Sequence, residues 1–76
     1  MHLDELSAGS VARIAGMTET GRRHLSRYLS LGLIPGSDVT VVRVAPLGCP
    51  IQIKVGSTLL SIRKSEAHEL LLEAQA

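Results

Sequence analysis

Residues 43–55, Arg-Val-Ala-Pro-Leu-Gly-Cys-Pro-Ile-Gln-Ile-Lys-Val, set two strand-like runs on either side of a Pro-Leu-Gly-Cys-Pro connection. Just upstream lies Leu31-Gly32-Leu33-Ile34-Pro35-Gly36. Two prolines and a glycine in the connection cannot continue a helix, and the alternation of Ile51, Ile53 and Val55 with Gln52 and Lys54 is that of a half-buried strand. The pair of segments therefore constrains the chain to a small, mainly β barrel with one inserted helix.

The remaining elements follow from the same patterning. A first strand is expected over Val11 to Gly16, with Arg13 on its solvent side. A helix opens at Met17 to Thr20, where Thr18 or Thr20 can cap a free backbone N–H. Leu25, Tyr28 and Leu29 form its narrow apolar stripe. Gly32 fits the left-handed position that ends a helix, Leu33 the apolar residue that packs back, and Pro35-Gly36 the centre of a tight turn. A long strand runs from Asp38 to Ala45, and Gly56-Ser57 makes a two-residue hairpin into Thr58 to Arg63. The last segment has two readings: Ala67, Leu70, Leu71 and Ala74 fit a helix after a Ser65 cap, whereas Leu70, Leu72 and Ala74 fit a strand. Closing the sheet against the first strand favours a short helical turn at Ser65 to His68 followed by a strand. The expected architecture is a curled, partly open barrel of about five strands, forming a single domain over residues 1–76.

The 76 residues contain no Phe or Trp and a single Tyr, so the core must be aliphatic. No apolar run approaches the ~18 residues of a membrane span, and the N-terminus lacks the basic start and apolar stretch of a signal peptide. Cys49 is the sole cysteine and cannot form an internal disulfide. A cytoplasmic location without membrane insertion is the resulting expectation. The net charge of +1 conceals a basic middle: Arg22, Arg23, Arg27, Arg43, Lys54, Arg63 and Lys64 are opposed there only by Asp38. Such a distribution can steer an acidic partner.

Candidate chemistry is sparse. Gly16-Met17-Thr18-Glu19-Thr20-Gly21-Arg22-Arg23 has the glycine spacing of a phosphate-binding loop, but Arg22 and Arg23 stand where Lys and Ser or Thr are needed. Plain anion binding at that helix start is the milder reading. No Ser, His and Asp arrangement converges, and the chain is read as a non-enzyme. His24, Cys49 and His68 are competent metal ligands without the spacing of a structural zinc site. No cofactor is required on this reading; zinc or iron, bound adventitiously or bridging two copies in a homodimer, is the metal alternative.

The run Arg27 to Gly36, then Val39-Thr40-Val41, Ala45 to Ile53 and Leu60 to Arg63 resembles the FeoA family, ferrous iron transport protein A. Leu3-Asp4-Glu5-Leu6 and Glu66-Ala67 fit as well, so the resemblance spans nearly the whole chain. Cys49 departs from it, since the family commonly has Asp there. The resemblance implies an SH3-like β-barrel with an added helical segment, like the C-terminal domain of iron- and manganese-dependent repressors. It further implies an accessory or regulatory role beside the ferrous iron permease FeoB, on whose cytosolic GTPase part the protein would dock. Arg22, Arg23 and Arg27, with the Leu47-Gly48-Cys49 tip nearby, are the expected docking surface. Gly32, Pro35, Gly36, Pro46, Gly48 and Pro50 are the expected structural positions. Two other readings are a metal-responsive sensor forming metal-linked dimers and a nucleic-acid-binding small barrel. The near absence of aromatics removes the stacking platforms the last would need, so nucleic acid is not the expected partner.

Overall fold

The computed structural model describes residues 1–73. A short 3-10 turn at Leu3–Glu5 precedes strand β1 (Val11–Met17), helices α1 (Glu19–Arg22) and α2 (Leu25–Ser30), strands β2 (Asp38–Val44), β3 (Ile51–Val55) and β4 (Thr58–Ile62), helix α3 (Lys64–His68) and strand β5 (Leu70–Leu72). The five strands form one antiparallel sheet in the order β4-β3-β2-β1-β5. β1 serves two neighbours. Its first half, Val11 to Arg13, pairs with β2, and its second half, Ile14 to Met17, pairs with β5 across an irregularity between Ile14 and Gly16. The strand thereby turns a corner and curls the sheet around its core. β4 and β5 lie at the two ends of that order and do not pair with each other, so the barrel is open rather than closed. The outer side of β5 takes a bridge from His2, and its Leu72 N–H donates to the Met1 carbonyl at 2.9 Å.

Alternation selects the inner face. Ala12, Ile14, Val39, Val41, Ile51, Ile53, Ile62, Leu70 and Leu72 point inward, joined by Leu3, Tyr28, Leu33 and Ala67 from outside the sheet. β2 breaks the two-residue period after Val42, where the register with β3 shifts between Val41 and Arg43. Val42 faces solvent as alternation after Val41 requires; the bulge keeps Arg43 outward as well and brings Val44 opposite Ile51.

The helix expected from Met17 onward is instead two helices, broken at Arg23 and His24. His24 has φ −110° and ψ 21°, outside helical geometry. Helices of four and six residues have little intrinsic stability, so their directions are set by tertiary anchors. Gly21 is one anchor and Tyr28 the other, and both meet Glu69. The expected stripe is corrected too. Tyr28 is buried, but Leu25 is 43% and Leu29 48% exposed. At the other end of the chain the turn-then-strand reading holds, with Arg63 rather than Ser65 at the N-cap of α3. Ala74, which both readings used, lies outside the described residues.

The end of α2 matches its sequence signature in detail. Gly32 has φ 82°, its N–H donates to the Leu29 carbonyl at 3.1 Å, and the Leu33 N–H donates to the Tyr28 carbonyl at 2.9 Å. These two bonds define the Schellman motif, and fully buried Leu33 supplies its apolar contact. The Ile34–Ser37 turn follows, with Pro35 and Gly36 (φ 92°) at its centre and the Ser37 N–H on the Ile34 carbonyl at 3.0 Å. A β-branched side chain cannot take Gly32's conformation without strain. Gly32→Val should lower stability by about 1–3 kcal/mol, and an unchanged denaturation midpoint would refute this assignment.

Candidate functional site: a cleft between the helical segments

Thr18 ends β1 and caps α1, its hydroxyl accepting the Gly21 N–H at 3.1 Å. Its own N–H donates to the Glu69 carbonyl at 2.8 Å, which ties the start of α1 to the junction of α3 and β5. Gly21 allows that approach. A Cβ there would lie 3.0 Å from both Cβ and the carbonyl oxygen of Glu69 and 3.2 Å from Cβ of Met17. Its place in the phosphate-loop-like run is therefore explained by packing against main chain.

The Glu69 carboxylate, largely shielded from solvent, joins three elements. Oε1 accepts the Tyr28 hydroxyl at 2.7 Å, and Oε2 lies 3.3 Å from His24 Nδ1. The His24 ring stands edge-on to Tyr28, with centroids 6.4 Å apart. Burial, then the hydrogen bond and negative charge of Glu69, push the Tyr28 phenol far above its ordinary value of 10.0. Tyr28 therefore remains a neutral donor. One turn earlier on α3, Glu66 accepts the Arg63 N–H at 2.9 Å and pairs with Arg27 Nη2 at 2.9 Å.

On the other side of α3, His68 Nδ1 lies 3.3 Å from Asp4 Oδ1. His2 stacks on the His68 ring at 4.1 Å, and its Nδ1 hydrogen donates to the His68 carbonyl. Between these groups opens a cleft of about 740 Å³ lined by Asp4, Thr18, Thr20, His24, Lys64, Ser65, His68 and Glu69. Two of the three expected metal-competent residues, His24 and His68, share this cleft. Cys49 does not. Its exposed sulfur accepts the Lys64 N–H at 3.4 Å, outside the cleft lining. Among the described residues no three of His, Cys, Asp and Glu come together closely enough to hold one ion. The histidine contacts engage only the Nδ1 atoms and leave Nε2 of each ring open, so what one copy lacks among the described residues is a third donor close by.

The expected docking residues separate into two groups. Arg22 and Arg23 are exposed, and neither forms an ion pair among the described residues. Arg27 is neutralised by Glu66. Immediately beyond Arg22 and Arg23, the exposed Leu25 and Leu29 share one face of α2 at i, i+4 spacing. The sequence reading put both leucines on one apolar stripe with Tyr28, so this exposed apolar component was missed. The Leu47 tip is held by a tight turn in which Pro46 takes the second position and the Gly48 N–H donates to the Ala45 carbonyl at 2.7 Å. Gly48 has φ 84°, and the Cys49–Pro50 peptide is cis. Leu47 is 94% exposed. The tip adjoins Lys64, and no hydrogen bond or ion pair among the described residues joins it to the arginines.

Comparison with known proteins places the chain. Residues 1–74 match the FeoA domain. It is 32% identical over 73 residues to an Fe(2+) transport protein A/Fe(2+) transporter FeoB fusion protein of Porphyromonas gingivalis, covering 96% of this chain and 8% of that relative. The chain thus spans less than a tenth of that relative's length. The solution structure of FeoA from Chlorobium tepidum aligns with a TM-score of 0.81 at 36% identity, over 100% of this chain and 71% of that one. The zinc-complexed FeoA of Stenotrophomonas maltophilia, described as a procaryotic SH3 domain protein, aligns with a TM-score of 0.77 at 28% identity, over 96% and 89%. The small, open sheet described above is an SH3-like fold.

The Tyr28–Glu69 contact predicts a pH response. The unfolded phenol loses its proton near pH 10 while the folded one retains it, so above that point the unfolded state binds fewer protons and stability falls as pH rises. Below it the contribution is complete. Chemical denaturation of the parent at rising alkaline pH should show this decline, and Tyr28→Phe should remove most of it while costing about 1–3 kcal/mol at neutral pH. Parallel pH profiles for the two proteins would contradict the assignment.

Proposed function

The chain belongs to the FeoA domain family, a family of ferrous iron transport, and on that footing we propose that it is an accessory module that docks on the cytosolic GTPase part of FeoB and modulates Fe²⁺ uptake. The observation that carries the docking surface is the exposed Leu25 and Leu29 on α2, preceded by Arg22 and Arg23, which form no ion pair among the described residues. Apolar side chains beside unpaired guanidiniums suit a partner surface that is itself apolar with an acidic rim. The FeoA–FeoB fusion in Porphyromonas gingivalis supports FeoB as that partner. The exposed Leu47 tip is a second, separate contact on this reading. The module performs no catalysis of its own and works in the cytoplasm, where FeoB's GTPase part lies. Among the described residues no helix is long and apolar enough to cross a membrane.

Retention of this protein by the GTPase part of FeoB, measured with GDP and with a GTP analogue, tests the proposal. The double change Arg22→Glu and Arg23→Glu should weaken retention by about tenfold or more without moving the unfolding midpoint, because both residues are exposed. Equal retention of the charge-reversed and parent proteins would remove this surface from consideration.

The zinc complex of the Stenotrophomonas maltophilia relative favours one further reading, in which an ion links two copies through His24, His68 or Cys49. Since the described residues of one copy offer no three-donor set, such a site would draw ligands from both molecules. Sedimentation with added Zn²⁺ should then give a dimer that chelator returns to monomer. A mass unaltered by either treatment would rule out metal-linked association.

A further inference from the structure

The outer face of the sheet is untouched by the helical docking surface. β4 pairs with β3 alone among the described strands. Their hairpin has a two-residue loop, with Val55 opposite Thr58, Ile53 opposite Leu60 and Ile51 opposite Ile62. In such a ladder those pairs exchange the interstrand bonds, and the alternate residues direct their main-chain groups away. The N–H and C=O of Leu59 and Ser61 therefore point outward along the edge. No main-chain bond joins either residue to another described element.

The side chains beside that edge have one electrostatic sign. On the outer face Leu59 lies opposite Lys54, and Ser61 lies opposite Gln52, which lies opposite Arg43. β2 adds Val42, 46% exposed, and Leu59 is 68% exposed. A hollow of about 260 Å³ is lined by Val42, Gln52, Leu59, Leu60 and Ser61. Arg43 and Lys54 make no ion pair among the described residues, and the acid at the start of β2, Asp38, pairs with Arg13.

We propose that β4 and this face receive an extended acidic segment of a partner protein, which adds to the sheet as a further strand. The outward N–H and C=O groups of Leu59 and Ser61 match a polypeptide main chain, the hollow takes an apolar side chain, and Lys54 and Arg43 face its carboxylates. A second copy does not fit. The β4 strand of a second copy, Thr58–Ile62, would bring no carboxylate to the basic face formed by Lys54 on β3 and Arg43 on β2. Nucleic acid fits the charge but not the alternating main-chain donors and acceptors, and the face carries no aromatic for stacking. This surface is independent of the FeoB docking reading, and either can fail alone.

The probe is a blocked heptapeptide alternating Glu and Val, with a Lys/Val peptide of equal length as its counterpart. Amide exchange of the intact protein provides the readout. At saturation the Glu/Val peptide should slow exchange at Leu59 and Ser61 by about tenfold or more. The double change Arg43→Glu and Lys54→Glu should weaken binding by about tenfold and reduce its salt dependence. Unaltered exchange at Leu59 and Ser61, equal binding of the Lys/Val peptide, or equally strong competition by duplex DNA would each overturn the proposal. The exchange measurement uses the parent protein, so it stands even if the doubly substituted variant folds poorly.

Discussion

Glu69 is the residue through which the helical insert is joined to the sheet. Its carbonyl receives Thr18, its side chain receives Tyr28 and His24, and its main chain leaves room for Gly21 but not for a larger residue. The next residue begins β5, which pairs with the second half of β1. One position thus fixes α1, orients α2 and sets the register of the terminal strand. A protein whose core is almost entirely aliphatic gains from this a directional contact that aliphatic packing cannot supply. Tyr28 can contribute it because burial keeps the phenol protonated and lets the ring fill the core while the hydroxyl finds its acceptor.

Local features of the fold were legible because they depend on near neighbours. The Schellman ending at Gly32, the Pro35-Gly36 turn and the Gly56-Ser57 hairpin are written within a few residues each. The sheet face of β3 follows from strict alternation, and the closing strand from the need to cover an edge. What escaped depends on distant partners. Nothing near Gly21 announces Glu69, so the glycine suggested phosphate chemistry when its role is close packing. Leu25 and Leu29 fit a buried stripe by spacing, yet Tyr28 alone occupies the interior because α2 is oriented by its hydroxyl. The expected strand from Asp38 to Ala45 carried no sign of the bulge at Val42; only the register across to β3 shows it.

The candidate site shows the same division. Residue types flagged His24, Cys49 and His68 as chemically competent, but competence did not bring them together. His24 and His68 reach one cleft because each pairs with a carboxylate from another segment, whereas Cys49 is tied to the main chain of Lys64. The same carboxylates that gather the histidines also occupy their Nδ1 atoms. Basic charge divides likewise: Arg13 and Arg27 are absorbed by Asp38 and Glu66, leaving Arg22, Arg23, Arg43, Lys54, Arg63 and Lys64 without an ion pair among the described residues.

That division bears on how so small a module could bind specifically. Association loses less free energy to ordering when the contacting groups are already held in place. α2 is too short to persist alone, but it is pinned at one end by the Schellman bonds and near its middle by Tyr28 on Glu69. Leu25 and Leu29 are therefore presented on a fixed helix face rather than on a fluctuating segment. The interior contact and the exterior patch lie on the same six residues, so loosening the first would disorder the second. A substitution that never touches a partner, such as Tyr28→Phe, would then weaken docking in proportion to the mobility it gives α2. Charge reversal at Arg22 and Arg23 would weaken it while leaving that helix as well ordered as before.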